Sequence, residues 1–208
     1  MALDTSSGRL NFFDLTREAG GAVYHSIHWL VIVSLGWMFC AATVVLAAPA
    51  TATAVWLGTA VIDHDSVTLS GLTNAFRRYF WRSQALAIPV YLLVNGIVWP
   101  GYLAITAGNP IAGIVTFLAI DALIVYCYVA VYSIPILVES GVSAQVAFRR
   151  SAKLAVTDAM TTTAVILFVC TVATVLVATV AGWILVGPGF VGALLALATR
   201  YRVAGETL

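Results

Sequence analysis

Long apolar runs separated by short polar breaks set the rhythm of this chain. Five runs, at about 26–48, 84–106, 111–137, 158–180 and 183–199, reach the roughly 17–25 residues that a helix needs to cross hydrocarbon. A further piece, "PATATAVWLGTAVI", starts at Pro49 and is too short for a comfortable span. The polar break "DHDS" follows it. Residues 1–24 are polar apart from "LNFFDL" and are expected to hold a short interfacial segment. The pattern predicts an all-α polytopic membrane protein: five full transmembrane helices plus one short Pro-initiated crossing, in a single integral membrane domain over 1–208.

Two of the breaks carry the same tetrad, "AFRR", beginning at Ala75 and at Ala147. Around the first, Leu72, Ala75, Phe76, Tyr79, Phe80 and Ser83 follow the i, i+3, i+4, i+7 spacing of one helical face, with Arg77, Arg78 and Arg82 off it. Around the second, Phe148, Ala152 and Ala155 form a weaker face beside Arg149, Arg150 and Lys153, and Ser143 is placed to cap the helix. Both are expected to be basic interfacial helices, apolar side toward lipid and charged side toward water. The repeated order of apolar run, basic helix and apolar run raises a parallel internal repeat around 49–106 and 111–180. Convergence on a generic membrane junction explains the shared tetrad equally well.

Composition agrees with the pattern. The chain is 62% hydrophobic and 9% charged, against roughly 45–50% apolar and 25% charged for a soluble domain. Nine of its ten basic residues are Arg, Lys153 being the exception. The turn between the second and third spans has no Lys or Arg, nor does "VAGW" between the last two. The positive-inside rule therefore places both AFRR helices and the C-terminus, with Arg200 and Arg202, in the cytoplasm. Counting the short crossing puts the N-terminus there too, giving a multi-pass protein of the cell membrane. A cleavage site at "LAAPATATA" is disfavoured, because the region before the first apolar run is long and carries Asp4, Asp14 and Glu18. Cys40, Cys127 and Cys170 fall inside apolar runs without CxxC spacing and read as packing residues.

The stretch "PATATAVWLGTAVIDHDSVTLSGLTNAFRRYFWRSQA", together with "LNFFDL", resembles the YesL-like family of integral membrane proteins over roughly residues 10–90. Pro49, Ala50, Thr51 and Ala52 match that family's "PATA" helix; Phe76, Arg77 and Phe80 match its aromatic–basic helix in type. The chain departs from the family in its "DHDS" turn and in having Arg where Lys is usual. The resemblance implies a possible auxiliary role beside carbohydrate transporters, and carries over no catalytic or binding residue.

Within the spans, two polar residues stand out. Asp121 lies near the middle of the third span, where a carboxylate costs at least roughly 2.5–3.5 kcal/mol. Asn95 lies near the middle of the second. They are twelve and fourteen residues from Asn109 in the intervening turn, so at ~1.5 Å per residue both sit about 20 Å deep. They are expected to face each other across the hairpin, either as an ion, proton or substrate position or as an inter-helix hydrogen-bonded pair. Two candidate helix breaks accompany them, Gly96 and Pro100 in "NGIVWPG" and Gly187, Pro188 and Gly189 in "VGPGFVG". Such breaks expose backbone in transporters, but they also merely kink or pack membrane helices. "DHD" with His25 or His28 makes a weak metal candidate, and solvated turn residues are the plainer reading. No GxSxG, HExxH or P-loop pattern occurs.

These readings imply no catalytic residues, no metal, no cofactor and no nucleic-acid partner. The function expected is that of a non-enzymatic membrane protein in the lipid bilayer, an accessory or regulatory partner of transporter subunits through its basic–aromatic face. The alternative is a small channel or secondary transporter, built as a homo-oligomer and using Asp121 and the broken helices.

Overall fold

The computed structural model describes residues 27–43, 45–63, 65–179 and 187–206. The expected interfacial segment at 1–24 lies outside them. Among the described residues the chain is helical, without strands. It forms α1 (Ile27–Ala42), α2 (Ala47–Ile62), α3 (Leu69–Leu93), a π-helical turn (Val94–Val98), α4 (Trp99–Thr106), α5 (Pro110–Ala130), α6 (Ser133–Ser140), α7 (Ala144–Thr157), α8 (Ala159–Ala178) and α9 (Gly187–Glu206).

Local chemistry explains most of the boundaries. Thr68 caps α3 by accepting from the Gly71 N–H at 3.1 Å, and Asn109 caps α5 by accepting from the Ile111 N–H at 3.1 Å. Asp158 breaks the chain between α7 and α8 and caps the latter through the Thr161 N–H. Gly141 ends α6 at φ +61°, a left-handed conformation in which a Cβ is disfavoured. Ser143 does sit at the N-cap of α7, although its hydroxyl makes no capping bond.

Among the described residues three helical stretches are long and apolar enough to cross a membrane: Leu69–Thr106, Pro110–Ser140 and Ala159–Ala178. The first contains 38 residues, about 57 Å at ~1.5 Å per residue. It differs from expectation, because the first AFRR helix is not separate from the span that follows. The backbone runs helically from Leu69 through Leu93 with Pro89 inside it. The second AFRR helix, α7, is a distinct element ending at Thr157. The difference lies in the joints: Asp158 leaves helical geometry after α7, whereas no comparable breaker separates Arg82 from the apolar run after it.

α2 contains 16 residues, about 24 Å at ~1.5 Å per residue and shorter than ~30 Å of hydrocarbon. Even so, α2 is the centre of the fold, packed against α1, α3, α6 and α9. Ala52, Val55 and Leu57 are fully buried in it. Its closest partner is α9, and small residues set the approach. A Cβ on Gly58 would lie 2.6 Å from Cα of Ala193, and one on Gly192 would lie 2.8 Å from the backbone of Ala54. Small-residue seams of this kind let helix backbones approach closely and gain dispersion contact.

Candidate functional site: the basic helices and the ion pair beside them

The two AFRR tetrads adopt the same disposition. Ala75 and Ala147 are buried, Phe76 and Phe148 are half-buried, and Arg77, Arg78, Arg149 and Arg150 are exposed. One helical turn beyond each alanine the side chain is buried again, as Tyr79 in α3 and Ser151 in α7. α3 and α7 touch each other, and both pack on α6. The tetrads therefore meet in one region of the molecule, with their cations outward.

Several bonds fix that region. The Tyr79 hydroxyl donates to the Val138 carbonyl at 3.2 Å, and Arg82 donates to the Gly141 carbonyl at 2.7 Å, tying α3 to the end of α6. Arg78 lies over the Tyr79 ring at 5.6 Å. Phe148 stacks on Tyr126 of α5 at 5.3 Å between centroids. Ser151 donates to the Val129 carbonyl and accepts from the Tyr132 N–H at 3.2 Å, bridging the bend between α5 and α6. Arg77, Arg149, Arg150 and Lys153 are exposed cations, and Trp81, one turn after Arg77 on α3, is 79% exposed. The buried face of α7 is Ala147, Ser151, Leu154 and Ala155. Phe148 and Ala152 of the expected stripe flank it rather than centre it.

Near this region Arg200 of α9 joins three helices. Its Nη1 and Nη2 donate to the two carboxylate oxygens of Asp63 at 2.6 and 2.7 Å, and its Nε donates to Glu139 of α6. The hydrogen bonds it donates to Asp63 do most to push the guanidinium pKa above its ordinary range; partial burial opposes this, and Glu139 adds to it. A hollow of about 270 Å³ opens beside the pair, walled by Trp56, Thr59, Ala60, Asp63, Asp65 and Ser66. A second hollow, an apolar groove of about 290 Å³, lies between α1, α2 and the start of α3 beside Trp37, Leu72 and Phe76.

Sequence reasoning missed the Arg200 pair. It read Arg200 as a topology anchor and Asp63 as a turn residue. The partners lie 137 and 61 positions away, too far for any helical period to signal. Of the metal candidate, His25 and His64 lie outside the described residues, and His28 is exposed on α1.

The two polar residues expected within the spans, Asn95 and Asp121, are not joined to each other. Asn95 is exposed in the π turn and donates to the Tyr91 carbonyl of its own helix at 3.1 Å. Asp121 is exposed on α5 and has no hydrogen bond among the described residues. The helix is not broken at Gly96 or Pro100. It widens into the π turn, where the carbonyl that Pro100 cannot bond back to belongs to Gly96. Gly187, Pro188 and Gly189 form the described start of α9 and are buried.

No family model matches the chain, and comparison with curated proteins and with solved structures finds no match either.

Proposed function

We propose that this chain is a non-enzymatic integral membrane protein that acts as an accessory or regulatory partner of a membrane transporter, docking through its basic helices. The supporting observation is that the two AFRR helices pack together, leaving Arg77, Arg149, Arg150 and Lys153 as exposed cations, with Trp81 exposed one turn after Arg77. Topology anchoring alone needs only that basic residues lie in cytoplasmic loops. It does not need two helices with matching buried alanines brought side by side. Exposed arginine and tryptophan are also the side chains that most often dominate protein–protein contacts.

In this reading the chain crosses the cell membrane by five full spans and a short crossing at α2, with both termini cytoplasmic. The YesL-like resemblance around Pro49–Ala52 and Phe76–Phe80 adds carbohydrate uptake as the transport process served. The reading of a pathway through Asp121 draws less support, since neither hollow described above includes Asp121 or Asn95.

The test is quadruple charge reversal at Arg77, Arg78, Arg149 and Arg150, followed by mild extraction and cross-linking from native membranes. A transporter permease that co-purifies stoichiometrically with the parent chain should be lost from the variant. Accessibility labelling of both termini must show unchanged topology. A complex that survives reversal with topology intact reduces the basic region to an anchor.

A further inference from the structure

The bend between α5 and α6 is held by a side chain from a third helix. Pro110–Ser140 is one long apolar stretch, yet its helix is interrupted by a turn at Val131 and Tyr132. Pro135 contributes, because it has no N–H to offer the Val131 carbonyl four residues back. The Tyr132 N–H, which in an unbroken helix would reach the Tyr128 carbonyl, donates to the Ser151 hydroxyl at 3.2 Å. That hydroxyl in turn donates to the Val129 carbonyl. One serine on α7 thus serves a donor and an acceptor that a continuous helix would satisfy by itself.

The Val129 carbonyl has a second claimant. In an unbroken helix it accepts from the N–H of Ser133, four residues on, and lies within reach of the Ser133 hydroxyl. Other hydroxyls in this chain make that bond. Thr116, Thr162, Thr171 and Thr199 donate to the carbonyl four residues back at 2.7, 3.0, 2.8 and 2.7 Å. The Ser133 hydroxyl is instead buried with no partner among the described residues, while Ser151 occupies the carbonyl it would use.

The elements around the bend are held unequally. α6 is fixed by Tyr79 and Arg82 of α3 through the Val138 and Gly141 carbonyls, and by Arg200 through Glu139. α7 is held more lightly. Apart from Phe148 against Tyr126, its buried face is Ala147, Ser151, Leu154 and Ala155, mostly small side chains with little apolar area to lose. It hangs between Gly141, at φ +61°, and Asp158, which leaves helical geometry.

We infer that the bend has two positions, exchanged at the Val129 carbonyl, and that α7 is the lever between them. With α7 seated, Ser151 holds the carbonyl and the stretch is bent. With α7 lifted, the Ser133 N–H and hydroxyl take the carbonyl back, the Tyr132 N–H returns to Tyr128, and α5 swings toward the line of α6. The two positions make similar numbers of hydrogen bonds, so the balance between them is close. Pro135 leaves the Val131 carbonyl without a helical donor in both, which keeps the joint a hinge. The lever carries the exposed cations Arg149, Arg150 and Lys153. That a docked partner moves it rests on the docking proposal; the two positions themselves do not.

The test is a distance across the bend, measured by pulsed electron–electron resonance on the full chain in phosphatidylcholine–phosphatidylglycerol nanodiscs. Spin labels go on Phe117→Cys and Ser140→Cys, both exposed positions, with Cys40, Cys127 and Cys170 replaced by Ala. An unbroken helix would part these positions by about 35 Å at ~1.5 Å per residue. The parent should show a shorter, bent majority and a longer minority of about one-tenth. Ser151→Ala should raise the long-to-short ratio about tenfold, since it removes two bonds of the bent position, and Ser151→Thr should stay near the parent. Ser133→Ala should lower the ratio severalfold. Ser34→Ala removes the other buried, unpartnered hydroxyl, away from the bend, and should change nothing. A merely structural serine would not give opposite shifts at Ser151 and Ser133. Should circular dichroism show that Ser151→Ala does not fold, the parent and Ser133→Ala decide. A single distance common to those two overturns the inference, as does a folded Ser151→Ala chain with the parent's distribution. No partner enters the measurement, so its failure leaves the docking proposal standing.

Discussion

Gly58→Ala is the smallest change that tests whether the α2–α9 seam holds the fold. The added Cβ would meet Ala193 Cα at 2.6 Å, Ala193 N at 2.7 Å and Ala193 Cβ at 3.1 Å. Ordinary contact for that carbon begins near 3.4 Å, so the helices must part by most of an ångström. Overpacking of this kind costs about 1–3 kcal/mol, and here the two nearest atoms belong to backbone and cannot rotate away. Opposing it is the gain of roughly 0.5–1 kcal/mol when a helical glycine becomes alanine. Gly36 in α1 isolates that gain, because nothing lies within 4 Å of its Cβ position. Gly36→Ala should therefore be neutral or slightly stabilising, and because both variants share the helix gain, Gly58→Ala should lie about 1–3 kcal/mol below it. Ala193→Gly should not rescue Gly58→Ala, since it removes only the most distant of the three contacts. Reversible unfolding in mixed micelles, followed by circular dichroism, supplies the comparison. Equal shifts for the two glycines, or full rescue by Ala193→Gly, would refute the close approach of α2 and α9.

Three further changes read other parts of the structure in the same assay. Ser151→Ala leaves the buried Tyr132 N–H without its acceptor and should cost about 1–3 kcal/mol, whereas Ser151→Thr retains a hydroxyl and should cost less. Arg200→Lys keeps the charge but loses the two-pronged bond to Asp63; because the pair is partly exposed, the loss should stay near 1 kcal/mol and shrink in high salt. An undiminished parent stability on adding salt, with Arg200→Lys unaffected, would remove the ion pair from the account. Ser34 and Ser133 bury hydroxyls with no partner among the described residues, so Ser34→Ala and Ser133→Ala should be neutral or stabilising, and a loss above about 1 kcal/mol at either would point to a partner not yet placed.

What the sequence made legible follows the reach of local physics. The three long apolar stretches, the position of Ser143 at a helix start and the turn at Asn109 all rest on periods or caps a few residues long. The buried faces of the AFRR helices were read well in α3, where Leu72, Ala75, Tyr79 and Ser83 are buried, and less well in α7. There a polar residue, Ser151, sits at the centre of the face because it serves the bend between α5 and α6. The continuity of α3 past Arg82 was missed because a charged run reads as an end, while the backbone needs an actual breaker to stop. The depth match of Asn95 and Asp121 came from counting residues, but counting fixes depth and not azimuth. The π turn rotates Asn95 relative to an ideal helix, and no spacing rule anticipates that. Arg200 with Asp63 and Glu139 was out of reach altogether, because it joins three helices distant in the chain.

The seam between α2 and α9 also bears on how the protein is made. α2 leaves the ribosome well before α9, yet the groove left by Ala54 and Gly58 is filled by α9, and Asp63 waits for Arg200 on that same helix. Until α9 has been synthesised, the middle of the fold is an open slot lined by small side chains. Ribosome-stalled chains that stop short of Gly187 should accordingly be degraded faster than chains that include α9, with the commitment to a stable fold deferred until α9 has emerged.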